Sequence, residues 1–235
     1  MSLIPDHMLA KRREVSGRFV VGDGIEIGAL HAPLWVSPRA RVRYVDRMAA
    51  PALRHHYPEL GEHELVAVDI VDDGETLCTI ADGSLDFIIG NHLLEHCENP
   101  LGTVRQHLCK LREGGILYYA VPDKRFSFDV ERPLTGFDHL VRDDREGPAT
   151  SRLDHYREWA CLVNKHIEPK AIEENVRVLV GMSYSIHFHV WDAEAYRDFL
   201  EGCRAYLGKA FAVRHFEQND TEIISVLAKD RSASA

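Results

Sequence analysis

The feature that most constrains the fold is an alternation of short apolar runs with helix-like segments. The runs are rich in Val, Ile, Leu or Tyr, are bounded by Asp, Gly or Pro, and cover residues 24–28, 41–46, 65–70, 85–90 and 116–121. Helical patterns separate these runs, so the strands are expected to be parallel and joined by crossovers. The sequence therefore predicts an α/β fold with a doubly wound sheet.

Two helices carry clear start and stop signals. Asn99 begins the first, whose apolar stripe ends at Leu111, and Asp192 begins the second, which stops at Gly208. Two further apolar runs, at 211–217 and 222–228, predict an antiparallel hairpin at the edge of the sheet. We therefore expect a single domain over residues 1–235 with a Rossmann-like, mostly parallel seven-stranded sheet.

The connection between the fifth strand and the second of these helices departs from the alternation. It spans residues 123–190, contains helix-like patterns after Thr135 and after Ser151, and is rich in histidine. A connection of this length inside a compact domain is normally functional. We expect it to form an inserted helical cap that binds the substrate over the carboxyl ends of the strands.

Composition narrows the classes of partner. The net charge is −9 and the longest basic block is Lys11–Arg12–Arg13, which argues against nucleic acid and favours a small-molecule partner. No apolar run is long enough for a membrane span, and no signal peptide is recognised. The five cysteines are scattered without a CxxC pair, which suits reduced thiols in the cytoplasm.

Polar residues follow the strands where a ligand crevice would lie. They are Glu26 with Gly28, Asp46, Asp72 to Gly74, and Asn91 with His92. A carboxylate that ends the second strand, as Asp46 does, can accept hydrogen bonds from both hydroxyls of a ribose. A carboxylate at the first turn repels a pyrophosphate but tolerates an amino group, which favours S-adenosylmethionine over a dinucleotide.

Five segments occur in the order and spacing of a known family. They are "GIEIGAL", "VRYVD", "VDIVDDGETL", "SLDFIIGNHLLEHCENPLGTV" and "LREGGILYYAVPDKR", and they cover about residues 20–125. The chain thereby resembles the class I S-adenosylmethionine-dependent methyltransferases, whose product is S-adenosylhomocysteine. Leu30 and Ala32 stand where this family usually has its second and third glycines.

The resemblance implies roles at the first two strand ends. Glu26 would face the amino end of the cofactor, and Gly28 would allow close approach of the backbone. Asp46 would bind the ribose. The implied cofactor-binding set also contains residues beside these motifs, namely Ala29, Arg47, Asp72 and His92.

The resemblance also implies roles after the third and fourth strands. Asp73 and Gly74 would lie beside the adenine, and Asn91 would flank the methionine portion. An ordinary polar loop is the alternative for the two aspartates at 72 and 73.

The second half of the chain supports a narrower resemblance. "AVPDKRFSFDVERPLTGFDHLVRDD", "SRLDHYREWA" and "IHFHVW" are similar to a subgroup associated with bacterial surface-polysaccharide and glycan biosynthesis. This similarity implies O-methylation of a sugar or of a glycan-related small molecule.

An alcohol acceptor calls for a general base, which contributes about 10²–10⁴ in rate, and histidine is the natural choice. His187 and His189 are the first candidates, because an extended segment 186–190 would place both on one face near the crevice mouth. His139, His155, His96 and Asp123 are the further candidates. For Asp123, a turn with an internal ion pair is the alternative.

The structural alternatives concern the same histidines. His187 and His189 could form a satisfied structural pair, and His96 is expected to fix the loop after the fourth strand. The two histidines could also form half of a metal site, but no third ligand stands at a spacing diagnostic of zinc, so no metal site is predicted.

Two rival functions share the first half of the sequence. A cofactor-binding module without transfer would keep the same pocket but would have no need of a histidine-rich insertion. A nicotinamide oxidoreductase would explain Asp46 but should carry further glycines around Gly28 for a pyrophosphate.

Overall fold

The computed structural model describes residues 4–57, 61 and 63–230, so the expected domain 1–235 extends beyond the described residues at both ends. The strands are β1 Gly22–Ile27, β2 Ala40–Asp46, β3 Ile70–Val71, β4 Leu85–Asn91, β5 Leu111–Pro122, β6 Phe211–Asn219 and β7 Glu222–Lys229. The helices are α1 Asp6–Phe19, α2 Ala50–His56, α3 Pro100–Lys110, α4 Phe137–Glu146, α5 Arg152–Leu162, α6 Pro169–Gly181 and α7 Ala193–Tyr206.

The strands form one seven-stranded sheet in the order β3-β2-β1-β4-β5-β7-β6. The first five of these are parallel, whereas β7 runs antiparallel to β5 and β6 antiparallel to β7. The predicted Rossmann-like sheet with its antiparallel C-terminal hairpin is thereby confirmed. The order reverses between β1 and β4, and ligands bind at such a switch point in open α/β sheets.

Apolar side chains cover both faces of the sheet. Ile88 packs in a core with α3 and α7, whereas its neighbours Phe87 and Ile89 pack in a second core with Val15 of α1. This division follows from the period of two along a strand. Both predicted helix starts are confirmed, because Asn99 accepts a hydrogen bond from Gly102 N and Asp192 from Ala195 N.

The third predicted strand is largely wrong. Of residues 65–70, only Ile70 is in a strand, and β3 is a two-residue edge strand. Next to it, the Asp69 carboxylate accepts a hydrogen bond from Tyr44 N at 2.8 Å, while Val66 N donates to Leu30 O. The Asp69 side chain and the Leu30 carbonyl therefore accept hydrogen bonds that a neighbouring strand would accept in a regular β-ladder.

Two helix predictions also need correction. Leu111 begins β5 instead of ending α3, because the backbone turns to the extended conformation directly after Lys110. The segment 123–190 contains the two predicted helices, as α4 and α5, and also α6, which was not predicted. Trp159 and Ala160 of α5 pack with Val176 and Leu179 of α6 in a small core of their own.

Among the described residues, no helix is long and apolar enough to cross a bilayer.

Candidate active site

A cleft of about 500 Å³ opens at the carboxyl ends of the parallel strands. Six of the predicted cofactor residues line it, namely Gly28, Asp46, Arg47, Asp73, Gly74 and His92. Its opposite wall comes from segment 123–190 and contains Phe128, Trp159, Tyr184, Ser185 and His187. The cleft therefore lies between the strand ends and the inserted helices.

The turn after β1 adopts left-handed backbone at two positions. Gly28 has φ +66°, and a Cβ there would meet nothing within 4 Å, so the conformation and not the space favours glycine. Leu30 has φ +51°, which costs a non-glycine residue about 1–2 kcal/mol. Leu30 therefore adopts the left-handed backbone conformation that a glycine would adopt at this position.

Glu26 and Asn91 lie together in a smaller cavity of about 350 Å³ that shares Gly28, Leu30 and His92 with the cleft. Both Glu26 oxygens accept from Leu34 N, at 2.9 and 3.0 Å, and Oε1 also accepts from Asn91 Nδ2 at 3.1 Å. Burial raises the pKa of Glu26 to about 7, although these hydrogen bonds oppose the shift. The carboxyl group therefore holds the first turn in place.

Asn91 also offers an acceptor to this smaller cavity. Its Oδ1 is buried without a hydrogen-bond partner in the described part of the chain. The predicted Ala29 lines the same cavity. A ligand amino group would satisfy the free oxygen.

Asp46 and Arg47 line the cleft at the end of β2. Asp46 Oδ1 accepts from Arg47 N at 2.7 Å, and burial raises the pKa of Asp46. The Arg47 guanidinium contacts His56 and donates to the Tyr57 hydroxyl, both at 2.6 Å. These contacts fix the arginine across the mouth of the cleft.

The two aspartates after β3 differ in position. Asp73 lines the cleft, where its Oδ1 also accepts from the backbone of Glu75 and Thr76. Asp72 does not line it, because its Oδ2 accepts from both the backbone and the hydroxyl of Thr79. A Cβ on Gly74 would lie 2.9 Å from Ile27, so close packing requires glycine there.

His92 joins the cleft to a buried ionic network. Its Nε2 lies 2.9 Å from Glu222 Oε2, and Glu222 also pairs with Arg12. Burial lowers the pKa of His92, but the carboxylates of Glu222 and Glu95 outweigh it and raise the value to about 9. The same contacts lower the pKa of Glu222 to about 2 against the opposing effect of burial. His92 is therefore a cation at the cleft wall.

Of the two first candidates for the general base, His187 lines the cleft and His189 does not. Its Nδ1 lies 2.7 Å from Asp129 Oδ2, and Asp129 accepts a second bond from Arg132 at 2.8 Å. Burial raises the pKa of Asp129, but the bonds from His187 and Arg132 outweigh it and leave the pKa lowered. An ionised carboxylate only accepts, so Nδ1 donates in this contact, and Nε2 is the ring nitrogen that can act as a base in the neutral imidazole.

Sequence reasoning missed Asp129. It lies 58 residues before His187 and follows no strand end, so no pattern connects the two. The aromatic rings of Phe128 and Trp159 lie beside the imidazole, with centroids 4.8 and 5.8 Å away. His96 also reaches the cleft, and its Nδ1 lies 2.9 Å from the Ile186 carbonyl, the kind of loop contact expected for it.

The other predicted catalytic residues lie elsewhere. His139, His155 and His189 meet in a separate cluster that does not line the cleft. Asp123 is buried in an ion pair with Arg125, which the sequence offered as the alternative. The structure therefore separates His187 from His189, although only one residue stands between them.

Comparisons with known proteins agree with this architecture. The sequence matches the family described as "Methyltransferase domain" over residues 22–202. Among solved structures, a putative methyltransferase from Bacillus halodurans C-125 has 11% identity and a TM-score of 0.51, with 95% of this chain and 99% of that chain covered. A SAM-dependent methyltransferase from Aquifex aeolicus has 12% identity and a TM-score of 0.49, with 94% and 88% covered. No curated protein matches the sequence.

The family match covers most of the chain, so the chain belongs to the methyltransferase-domain family. The resemblance to class I S-adenosylmethionine-dependent methyltransferases is thereby confirmed, and the protein is a methyltransferase of that class. This assignment also separates it from the nicotinamide oxidoreductases.

Proposed function

We propose that this protein transfers a methyl group from S-adenosylmethionine to a hydroxyl oxygen of a sugar or glycan-related small molecule, with His187 as the general base. The observation that carries the proposal is that His187, which Asp129 holds by a hydrogen bond, lines the same cleft as Asp46 and Gly28. A hydroxyl stays protonated near neutral pH, so its methylation gains from a base in this position.

The residues at the strand ends fit the cofactor. Asp46 offers a carboxylate for two ribose hydroxyls, and Asp73 and Gly74 form the adenine side of the cleft. Asn91 Oδ1 and the His92 cation suit the amino and carboxylate groups of the methionine portion. Gly28 leaves open space beside the turn that follows β1. Ala29 lines the smaller cavity beside it, and Arg47 lines the cleft next to Asp46. Asp72 would act by holding the loop that carries Asp73.

S-adenosylmethionine supplies an electrophilic methyl group on a sulfonium sulfur, which keeps the electron pair of the broken carbon–sulfur bond. His187 Nε2 takes the proton of the acceptor hydroxyl as its oxygen is alkylated. Asp129 holds the imidazole orientation and stabilises the imidazolium that results. Alignment of the acceptor by the cleft contributes further, since good positioning is worth roughly 7–11 kcal/mol.

The inserted helices support a cap role for residues 123–190 within one methyltransferase domain. They supply the wall opposite the strand ends, with Phe128 and Trp159 as an apolar surface and Ser185 as a polar group. Such a mixture suits the alternating C–H and hydroxyl faces of a sugar ring. The glycan assignment rests on the resemblance of the second half of the sequence.

The remaining proposals concern partners and location. The net charge of −9 favours a small-molecule or glycan acceptor over nucleic acid. All five cysteines are free, which suits a reducing compartment such as the cytoplasm.

The test is a two-stage assay on purified protein. Calorimetric titration with S-adenosylhomocysteine measures the cofactor site, and mass spectrometry then follows methyl transfer to a panel of nucleotide sugars and glycans. We expect cofactor-product binding and a mass gain of one methyl group on at least one hydroxyl acceptor. Absence of binding would refute the cofactor assignment, and binding with methylation only of amines or carbons would refute the oxygen acceptor.

A further inference from the structure

Three histidines from separate parts of the insert meet beside the cleft. His139 comes from α4, His155 from α5 and His189 from the extended segment before α7. One side-chain nitrogen of each lies within 4.8 Å of one on each of the others, and the Nε2 atoms of His139 and His155 are 3.0 Å apart. Asp143, one turn after His139, places its Oδ2 3.1 Å from His139 Nε2.

One donor atom of this cluster is buried without a partner in the described part of the chain. His189 is 1% exposed, and its Nδ1 makes no hydrogen bond. An unsatisfied buried polar atom costs about 1–3 kcal/mol, so this nitrogen favours a bound ligand. Asp143 is fully buried; its Oδ1 accepts from Ser151, and its Oδ2 faces His139 Nε2.

The donor set has the composition of a zinc site. Zinc binds imidazole nitrogens and carboxylate oxygens at about 2.0–2.2 Å in tetrahedral geometry, which places neighbouring donors about 3.3 Å apart. The 3.0 Å separation of the His139 and His155 nitrogens is close to this spacing. His189 Nε2 lies 3.4 Å from the Glu98 carbonyl, which matches the outer contact that fixes the tautomer of metal-binding histidines.

The surrounding charges permit a cation. Arg132 lies near His155 and His189, but its charge is balanced by ion pairs with Asp129 and Glu158. Arg142 donates to His139 Nδ1 from an exposed position and would turn into solvent when Nδ1 takes the proton.

We propose that His139, His155 and His189 bind one divalent transition-metal ion, with zinc as the preferred metal and the fourth position left for a water molecule. The ion ties α4 and α5 to the segment that carries His187, and so fixes the wall of the cleft. No metal was predicted from the sequence, because the three residues have no diagnostic spacing and only packing brings them together. The site does not depend on the proposed methyl acceptor.

The test uses tag-free full-length protein that has been treated with a chelator and dialysed. Titration with CoCl₂, followed by visible absorption, reports both stoichiometry and tetrahedral geometry, and ZnCl₂ then displaces the cobalt. We expect one equivalent with an intense tetrahedral spectrum. Absence of a saturable spectrum would overturn the proposal without reference to any variant.

Three variants locate the ion. His155→Gln should weaken cobalt binding by at least the roughly 10–100-fold that loss of an outer-shell partner costs. His55→Gln, an exposed histidine of α2, should bind as the unchanged protein does. His96→Gln tests the other cluster of Glu95, His96 and His187. Loss of binding in His96→Gln, or undiminished binding in His155→Gln, would contradict the assigned site.

Discussion

The strand ends of the sheet and the inserted helices build opposite walls of one cleft by different means. The strand-end wall takes its groups from the ends of β1, β2 and β4, where Gly28, Asp46 and His92 each follow their own strand. The insert takes its groups from contacts between distant residues, such as His187 with Asp129. Residues at strand ends can be predicted from a local sequence pattern, whereas residues that helix packing brings together cannot.

The largest expected effect is on the insert wall. His187→Gln should lower kcat by about 10²–10⁴, because the general base is removed, while affinity for S-adenosylhomocysteine stays within about twofold. Steady-state rates and calorimetry measure the two quantities. His166→Gln, another histidine of the insert, is the matched control. A kcat within about tenfold of that of the unchanged protein would contradict the assignment of the general base to the insert wall.

The next effect concerns the first turn of the strand-end wall. The pKa of Glu26 is raised from about 4.5 to about 7, so the folded state binds the proton more tightly than the unfolded state. Stability should therefore fall by up to about 3 kcal/mol as pH rises from 4.5 through 7. Glu26→Gln should flatten this slope, as measured by urea unfolding at pH 5 and pH 8. Glu113→Gln, an exposed glutamate of β5, should leave the slope as it is.

A smaller effect is expected at the ribose side. Asp46→Asn should weaken S-adenosylhomocysteine binding by roughly 10–100-fold, since a hydrogen bond to a charged group is worth about 1.5–3 kcal/mol. Calorimetric titration measures the change. Asp23→Asn removes an exposed carboxylate near the start of β1, at the opposite end of this strand from the cleft, and should bind normally. Equal affinity in the two variants would show that the strand-end wall does not hold the ribose.

The smallest effect concerns His92, whose pKa is raised to about 9. Its stabilising contribution is complete below the ordinary pKa of about 6.5 and is lost as pH rises through about 9. The side chain is 40% exposed, so solvent screening limits the loss to about 1 kcal/mol. Urea unfolding of His92→Gln should show less decline between pH 6.5 and pH 9 than the unchanged protein. His7→Gln serves as the exposed control, and an identical decline in all three proteins would contradict the network.

Much of the strand-end wall was predictable. A short apolar run that ends in Asp46 or Gly28 is a local pattern, and parallel strands bring such ends to one edge. The prediction of a strand at residues 65–70 was wrong because this segment lies at the edge of the sheet. There the Asp69 side chain replaces a backbone hydrogen bond of the β-ladder. Leu30 shows the opposite case. The sequence has leucine where the family usually has glycine, yet the backbone of Leu30 adopts the left-handed conformation.

Local sequence patterns were enough to predict six of the seven strands, the capped helices α3 and α7 and the polar groups at the strand ends, because periodicity and capping act over a few residues. Long-range packing, in contrast, places His187 against Asp129 in the cleft and His189 with His139 and His155. The physical reason is that these contacts join residues 16 to 58 positions apart through packing of α5, α6 and the segment before α7. No local preference of the chain encodes which histidine faces which neighbour.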